Sequence, residues 1–366
     1  MPTFLSRILA GTALLALFWG MVGVPAEAQT TERTISQREA PLAGSALSAD
    51  ISADGRKDLV IASVDYERVV WHLNEIGTSG ADDDGYGRAQ EILSGADDIQ
   101  EIGLADINGS GGADLVLFLE DGVAWRKNQT GDSSTEAFGE RKVITDRTAD
   151  PFRNGFQLSD LSGDGRADLA LLDENSGTLY WFKNEVNTSE ADADGFGEAN
   201  EIGSLNTSDQ EVFVSDLNAD GSEDILVDGT WFENQIGTSS ADSDGFAPGE
   251  DLFRRFSSTR ISLVGDLDGD GDADLVDTDG RWQRNEYVES GKVNFISEGA
   301  ITSESFQTLS LEDADGDGDP DIFLKDYSDH LIWRENQIGE SGADDDGFGP
   351  AKAIGTQTDA TILTET

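Results

Sequence analysis

The chain has no cysteine and only two histidines among its 366 residues. Without cysteine, it can form no disulfide and carries no lipid-anchor cysteine. No G-x-S-x-G elbow, H-E-x-x-H motif or Walker loop occurs either, so the sequence gives little basis for predicting an enzyme. His72 and His330 lie in or beside predicted strands, and we interpret both as structural residues. A catalytic pair of carboxylates, as used in glycoside hydrolysis, stays an open alternative, because no single pair stands out among 74 acidic residues.

Positive charge is also scarce. The chain has 24 Lys and Arg residues against 74 Asp and Glu residues, which gives a formal net charge of -50. This excess argues against nucleic acid and anionic membranes as partners, since both are themselves anionic. The acidic, lysine-poor composition has two open interpretations, namely adaptation to a salty environment or an ordinary, well-solvated secreted surface. With 37% apolar residues, the chain can still build a core.

Long apolar runs are absent except near the N-terminus. One run extends from Ile8 to Val24, follows the positively charged Arg7, and is succeeded by the small-x-small pattern Ala26–Glu27–Ala28. These features predict a secretory signal peptide over residues 1–28, and hence a protein that is secreted to the periplasm or the cell exterior. No later run is long enough to cross a bilayer, so we expect no membrane span.

The feature that the chain has in excess is an acidic nine-residue pattern, D-x-D-x-D-G-x-x-D, most complete at residues 266–274. Calcium takes six to eight oxygen ligands, and alternating carboxylates in one short loop aim several oxygens at one point. Gly271 at the sixth position permits the positive φ that the loop needs to turn back. The candidate metal ligands of the six copies are Asp50, Ser52, Asp54, Asp58; Asp106, Asn108, Ser110, Asp114; Asp160, Ser162, Asp164, Asp168; Asp216, Asn218, Asp220, Asp224; Asp266, Asp268, Asp270, Asp274; and Asp313, Asp315, Asp317, Asp321.

These loops recur with a period of about 50 residues, which is typical of propeller blades or solenoid units. The fourth unit shows the pattern most plainly. Alternation over Glu211–Leu217 predicts a half-buried strand, and Asp224–Val227, Thr230–Asn234 and a segment near Glu250–Phe253 predict three more. Bound calcium would stabilise such a disulfide-free fold, because an ion that binds only the folded state adds to its stability.

A second signature places Trp three residues before Asn in each predicted third strand. An aromatic residue that recurs once per unit is what packing between neighbouring blades requires, and we interpret these tryptophans as inter-blade core, with sugar stacking as the alternative. The pairs are Trp71/Asn74, Trp125/Asn128, Trp181/Asn184, Trp231/Asn234, Trp282/Asn285 and Trp333/Asn336.

The loop after each third strand carries its own consensus, A-D-x-D-G-[FY]. Its aromatic residue is predicted to fill the blade edge where the fourth strand begins, and its Asp pair is either a second cation site or a solvated turn. The copies are Asp82/Asp84 before Tyr86, Asp192/Asp194 before Phe196, Asp242/Asp244 before Phe246 and Asp344/Asp346 before Phe348. The second unit has a degraded version that ends at Phe138, and the fifth unit lacks it.

The sequence therefore predicts an all-β fold, a β-propeller of six four-stranded blades over residues 29–366. Strand-like segments remain at both ends, at Thr34–Gln37 and Thr361–Thr364. Propellers commonly close by pairing strands from the two termini, which hides exposed edges. The spare segments leave a partial seventh blade as the alternative to six.

From about Ala49 to Gly349, the acidic loops, the Trp-x-x-Asn strands and the aromatic–glycine turns resemble the FG-GAP/VCBS repeats of integrin α-subunit heads and secreted bacterial proteins. The resemblance implies calcium in the loop between the first and second strands of each blade, with ligands at the first, third, fifth and ninth positions and a backbone carbonyl at the seventh. Ser52, Ser110 and Ser162 depart from the carboxylate pattern, so the first three sites should be weaker than the fifth and sixth.

EF-hand and dockerin loops begin similarly but require flanking helices and an acidic residue at position twelve. Here, position twelve is occupied by Leu117, Leu171 or Leu324, each inside an apolar run that is typical of a strand. The glycine pattern of the repeats-in-toxin nonapeptides is also absent. Both alternatives are therefore set aside.

In a four-stranded antiparallel blade, the loops after the first and third strands emerge on one face, so both acidic loop families should share a face. The connections between blades lie on the opposite face, where two of them carry arginines and Phe152, Phe253 and Phe256. Our hypothesis is that an anionic partner or polysaccharide docks there; the alternative is that the arginines pair with surplus acids. They are Arg147, Arg153, Arg254, Arg255 and Arg260.

The sequence thus favours a secreted, calcium-binding propeller that acts as a binding or adhesion module for an extracellular protein or polysaccharide, with structural calcium ions as its cofactors. Two alternatives stay open. One is a polysaccharide-active enzyme, since some propellers related to this repeat type act on polysaccharides, for instance as lyases. The other is a purely structural component of a surface layer or matrix.

Overall fold

A computed structural model of the chain describes residues 31–33, 45–52, 54–63, 68–75, 87–94, 99–130, 137–149, 155–188, 194–205, 211–238, 244–252, 261–301, 306–312, 319–326, 330–338, 347–356 and 362–364. The fold is an all-β propeller of six four-stranded antiparallel blades. Strands within each blade follow sequence order, so each blade is one contiguous segment of the chain.

The strands are as follows. β1 (Thr31–Arg33) precedes the first blade, which contains β2 (Ser45–Ala49), β3 (Asp58–Ser63), β4 (Arg68–His72) and β5 (Gln90–Ser94). Blade 2 contains β6 (Ile99–Ala105), β7 (Asp114–Leu119), β8 (Gly122–Asn128) and β9 (Phe138–Thr145). Blade 3 contains β10 (Phe156–Ser159), β11 (Asp168–Asp173), β12 (Thr178–Phe182) and β13 (Asn200–Ser204).

The second half repeats this order. Blade 4 contains β14 (Val212–Ser215), β15 (Asp224–Val227), β16 (Thr230–Phe232) and β17 (Glu250–Asp251). Blade 5 contains β18 (Ile261–Gly265), β19 (Asp274–Asp277), β20 (Arg281–Asn285) and β21 (Phe295–Ala300), with the one-turn helix α1 (Tyr287–Ser290) before its last strand. Blade 6 contains β22 (Phe306–Glu312), β23 (Asp321–Asp326), β24 (His330–Arg334) and β25 (Lys352–Thr356), and β26 (Ile362–Thr364) follows it.

The predicted number of six blades is confirmed, and the spare strands of the two termini do not form a seventh. β1 and β26 instead pair antiparallel as a separate two-stranded sheet, with Thr31 opposite Thr364. The predicted terminal pairing is therefore present, although the N-terminal strand lies a few residues before the predicted one. Residues 1–28 and Thr34–Gln37 lie outside the described residues.

The hydrophobic core lies between the blades. Among the described residues, five buried clusters each combine side chains from two successive blades, and together they cover the seams from blade 1/2 to blade 5/6. On β11, Leu169 and Leu171 face blade 2, whereas Ala170 and Leu172 face blade 4. Successive side chains of a strand point to opposite faces of the sheet, so both faces of each second strand are covered. This explains why these strands are continuously apolar rather than alternating.

The signature tryptophans lie in these seams, as predicted. Trp125 of blade 2 lies in one buried cluster with Leu169 and Phe196 of blade 3 and is 1% exposed. Trp181 of blade 3 packs edge-on against Phe246 of blade 4, with ring centroids 6.3 Å apart. The inter-blade interpretation is confirmed at these seams. His72 is likewise buried, with its Nδ1 2.9 Å from the carbonyl oxygen of Gly87, which agrees with a structural role.

The helix α1 was not predicted. It occupies the position of the second acidic loop in the one unit that lacks that consensus, and the N–H of Val288 donates to Asp272 Oδ2 at 2.8 Å. Within the described part of the chain, no helix is long and apolar enough to cross a membrane.

Glu101 on β6 is a buried acid that the sequence analysis did not identify. Burial raises the pKa of its carboxyl to about 8. A raised pKa means that the folded state holds the proton more tightly than the unfolded state. The protonated Glu101 therefore makes its full contribution to the free energy of unfolding at pH values below its ordinary pKa. This contribution falls as the pH rises from about 4.5 towards 8.

We therefore expect Glu101→Gln to be close to neutral at pH 4.5 and to stabilise the protein at pH 8 by on the order of 3 kcal/mol. Urea denaturation of both proteins at the two pH values measures the difference, and Glu140→Gln, at an exposed position of the same blade, serves as the control. An equal effect of Glu101→Gln at both pH values would show that the buried carboxyl does not titrate in this way.

Candidate metal-binding loops

The acidic loops connect the first and second strands of their blades. In the five loops whose sixth residue is described, that residue is a glycine with a positive φ between 85° and 103°, as predicted for Gly271. These glycines are Gly55, Gly111, Gly165, Gly221 and Gly271. Space is open around each of them, so it is the backbone conformation rather than crowding that favours glycine here.

The first aspartate of each described loop holds the turn through two backbone N–H groups. In blade 3, Asp160 Oδ1 accepts from the N–H of Asp164 at 2.9 Å, and its Oδ2 accepts from Gly165 at 2.7 Å. The same pair of bonds forms at Asp50, Asp106 and Asp216, and Asp266 accepts from Gly269 and Gly271. The loops are thus held in one conformation by their own carboxylates.

The ninth aspartate opens the second strand and is completely buried in loops 1 to 5. In blade 5, Asp274 Oδ2 accepts from the N–H of Leu267 at 3.0 Å, and Oδ1 accepts from the N–H of Asn285 at 2.7 Å. Burial raises the pKa of Asp168 to about 6 and those of Asp224 and Asp274 to about 7, even though hydrogen bonds act against the shift. Burial also raises the pKa of Asp58 and Asp114.

Three predicted ligands converge in blade 5. One carboxylate oxygen from each of Asp266, Asp268 and Asp274 lies within 4.8 Å of the others. Asp270, the predicted fifth-position ligand, lies outside this group, and its Oδ1 accepts from the N–H of Asp272 at 3.1 Å. Burial and the neighbouring carboxylates of Asp270 and Asp266 raise the pKa of Asp268, and the nearby charge of Arg284 acts against this shift.

In three other loops, the side chain at the fifth or the third position has a partner that differs from those in blade 5. In blades 1 and 3, an arginine at the seventh position forms an ion pair with the fifth-position aspartate, Arg56 with Asp54 and Arg166 with Asp164, each at 2.6 Å. In blade 2, Asn108 Nδ2 donates to both oxygens of Asp114, at 2.7 and 2.6 Å. Exposed ion pairs of this kind contribute at most about 1 kcal/mol, so they leave the carboxylates accessible to a competing cation.

Glu223, at the eighth position of loop 4, was not among the predicted ligands. Burial raises the pKa of its carboxyl, and the nearby carboxylates of Asp160 and Asp216 add to the shift. Glu223 therefore lies near the carboxylates of both loop 3 and loop 4. Only its position beside a predicted ligand signalled it in the sequence.

Some predicted site residues lie outside the described residues: Asp313, Asp315 and Asp317 of loop 6, and Arg153, Arg254, Arg255 and Arg260 of the opposite face. Asp321 of loop 6 is described and is buried, and its Oδ1 accepts from the N–H of Asn336 at 2.7 Å. Arg147 of the opposite face lies over the ring of Tyr180, 4.2 Å from its centroid. Phe152, Phe253 and Phe256 are also outside the described residues.

The acidic loop that follows the third strand is described in blades 3 and 4 from its last aspartate onward, namely from Asp194 and Asp244. Asp194 Oδ1 and Asp244 Oδ1 accept from the N–H of Phe196 and Phe246, at 2.8 and 2.9 Å, and their carbonyl oxygens accept from the indoles of Trp125 and Trp181 of the preceding blade. These two aspartates therefore act as turn caps. The outer partners Asp192 and Asp242, and the pairs Asp82/Asp84 and Asp344/Asp346, lie outside the described residues.

The role of the signature asparagines was not predicted from the sequence. The described structure places them at the blade seams, where Asn184 Nδ2 donates to the carbonyl oxygens of Ala167 in its own loop and Ile107 in the loop of blade 2. Their regular spacing after tryptophan was the signal that could have identified them.

These loops meet the requirements of a hard cation. Their donor set consists of oxygens, which calcium prefers. Burial of a carboxylate without a counter-charge is unfavourable, and no described lysine or arginine forms a salt bridge with Asp168, Asp224 or Asp274. The convergence of Asp266, Asp268 and Asp274 gives a cation one place to bind. The residues present therefore fit calcium.

Comparison with known proteins agrees with this architecture. Residues 160–227 match the model of the FG-GAP-like repeat, and this match together with the six blades fits an FG-GAP-like propeller. The chain is similar to a lectin of Agrocybe aegerita whose structure shows recognition of non-reducing terminal N-acetylglucosamine, with 18% identity, coverage of 93% of this chain and 86% of the lectin, and a TM-score of 0.62. It is also similar to BBS1N in complex with ARL6DN, with 10% identity, coverage of 89% and 86%, and a TM-score of 0.54. At these identities the likeness concerns the fold. The comparison with curated proteins found no match.

Proposed function

We propose that this chain is a secreted binding module, a six-bladed propeller that calcium stabilises and that recognises a glycan or glycoprotein outside the cell. The observation that carries the calcium half is the convergence of Asp266, Asp268 and Asp274 in a loop whose geometry recurs in the other described loops. Bound calcium would supply positive charge to the two half-buried carboxylates, Asp266 and Asp268, and to the buried Asp274, and the loop residues would hold it through oxygens alone.

The choice of a glycan as ligand class is supported by the fold that the chain shares with the lectin. A β-propeller with this repeat fits a binding module, and the predicted signal peptide over residues 1–28 places it where glycans are exposed. The calcium loops lie on one face of the disc, so the proposed docking face is the opposite one. There the sequence places Arg153, Arg254, Arg255 and Arg260.

A glycan array probed with the purified protein tests this function. We expect retention on glycans that end in N-acetylglucosamine or on acidic polysaccharides when calcium is present, and at least a tenfold loss of retention in EGTA. A double variant, Arg254→Ala with Arg255→Ala, separates the two ligand types, because it should reduce binding to acidic polysaccharides only. Arg56→Ala, at the calcium-loop face, is the matched control.

If EGTA leaves the retention on glycans unchanged, this result contradicts a calcium-dependent scaffold. No retention on any glycan in calcium contradicts the glycan as ligand and favours a protein partner.

A further inference from the structure

At the five seams that the described residues cover, the signature asparagine contacts two acidic loops. At the seam between blades 4 and 5, the N–H of Asn285 donates to Asp274 Oδ1 at 2.7 Å, and its Nδ2 donates to the carbonyl oxygen of Ala273 at 3.2 Å, both in its own loop. The same Nδ2 donates at 2.8 Å to the carbonyl oxygen of Leu217, the second residue of the blade 4 loop. Asn285 is fully buried, so water does not replace these bonds.

The arrangement repeats at every seam that the described residues cover. In each case, Nδ2 reaches the carbonyl oxygen of the second loop residue of the preceding blade, at 2.8 to 2.9 Å. The pairs are Asn128 with Ile51, Asn184 with Ile107, Asn234 with Leu161, and Asn336 with Leu267. The bond therefore belongs to the repeat and not to one blade.

The accepted carbonyl is itself joined to the metal loop of its own blade. In blade 3, the carbonyl oxygen of Leu161 and the N–H of Ser162 belong to one peptide group. That N–H donates to Asp168 Oδ2 at 2.8 Å, while the carbonyl accepts from Asn234. Loops 1 and 2 share this arrangement through Ser52 and Asn108. In blade 4, the N–H of Leu217 donates to Asp224 Oδ2 at 3.2 Å.

A continuous series of hydrogen bonds thus links the ninth aspartate of one loop to that of the next. From Asp224, it passes through Asn234 and the peptide group of Leu161 and Ser162 to Asp168. Between loops 5 and 4, the bonds run from Asp274 through Asn285 to the carbonyl of Leu217 and from the N–H of Leu217, in the adjoining peptide group, to Asp224. Hydrogen bonds in series polarise one another where the surroundings are apolar, and partners that orient metal ligands commonly change metal affinity by 10- to 100-fold.

We propose that each seam asparagine is a positioning residue shared by two metal loops, its own and that of the preceding blade. This inference rests on the calcium binding proposed above. Its consequence is specific, since the loss of one asparagine weakens two calcium sites, whereas the loss of one ligand weakens the site of its own loop.

A double-variant experiment tests the sharing. Calcium uptake is measured by equilibrium dialysis with the unaltered protein, Asp268→Ala, Asn285→Ala and the combination of both. Asp268→Ala disables loop 5. We expect Asn285→Ala to lower the affinity of two sites about tenfold or more. Added to Asp268→Ala, it should still weaken one further site, that of loop 4. If the sites outside loop 5 bind calcium with the same affinity in the double variant as in Asp268→Ala alone, the proposal is overturned, because the asparagine then serves its own loop alone.

The control variant is Gln283→Ala, which removes a buried polar side chain two positions earlier on the same strand and should leave every site unchanged. If Asn285→Ala does not fold, the same comparison at another seam, Asn184→Ala in an Asp164→Ala background, measures loops 2 and 3 instead. No calcium uptake by the unaltered protein overturns the proposed calcium binding together with this inference. Uptake with an unchanged double variant overturns the inference alone.

Discussion

Removal of calcium with EGTA is expected to lower the melting temperature of this protein by on the order of 15 °C. A site held at about a hundred times its Kd adds roughly 2.7 kcal/mol to the free energy of unfolding, so several occupied loops add on the order of 10 kcal/mol. The effect should be large because the ninth aspartates are completely buried, and without a cation they retain the desolvation that raises their pKa.

Circular dichroism melts in calcium, in magnesium and in EGTA measure this shift. Magnesium serves as the specificity control, because it requires near-ideal octahedral geometry at shorter distances and gives up its water reluctantly. We therefore expect magnesium to recover little of the loss. Equal melting temperatures in calcium and EGTA would show that the loops are acidic turns, and the calcium half of the proposed function would fail.

The fold could be predicted because its strongest signals are local and repeat. The period of about 50 residues gave six blades, and the prediction for the second strand of blade 4, Asp224–Val227, agrees with β15 at both ends. Strand predictions at the disc edge were less accurate. The fourth strand of that blade was expected near Glu250–Phe253 and is only Glu250–Asp251, because little packing beyond this edge fixes its length.

The seam asparagines show what the sequence could not supply. Asn184 lies 77 residues from its partner Ile107, and Asn285 lies 68 residues from Leu217. No spacing rule of a single strand or loop reveals contacts at that distance. The recurrence of Asn after Trp was visible, but recurrence alone does not say whether a residue packs, caps or donates.

The candidate ligands were predicted as equivalent positions, and the structure distinguishes them. Asp54 and Asp164 form ion pairs with arginines, whereas burial and the carboxylates of Asp270 and Asp266 raise the pKa of Asp268 against the opposing charge of Arg284. These differences depend on side-chain direction, which the nine-residue pattern does not encode. The expectation that the first three sites are weaker stays a prediction, and the ion pairs in blades 1 and 3 favour it.

Replacement of Asp274 by alanine is expected to cost more stability than replacement of any other ligand in its loop. In calcium, the change removes a metal ligand and also leaves the N–H groups of Leu267 and Asn285 without their acceptor. A buried donor without a partner costs about 1–3 kcal/mol. With two such donors and the lost calcium site, we expect a loss of about 5–9 kcal/mol in the free energy of unfolding.

Asp268→Ala gives the matched comparison, because it removes a ligand of the same group while both of those backbone bonds remain. It should cost about 2–3 kcal/mol in calcium, the contribution of one site. In EGTA it should cost no more than about 0.5 kcal/mol, since burial and the carboxylates of Asp270 and Asp266 disfavour the charged form of Asp268, while Arg284 and the N–H of Asp270 favour it. Guanidinium denaturation of both variants, with and without EGTA, measures these differences. The control is Asp279→Ala, at an exposed turn of the same blade, which should be neutral within about 0.5 kcal/mol.

Equal costs for Asp274→Ala and Asp268→Ala in calcium would show that the ninth aspartate is one ligand among several. A larger cost for Asp274→Ala means that this residue joins the metal site to the blade seam.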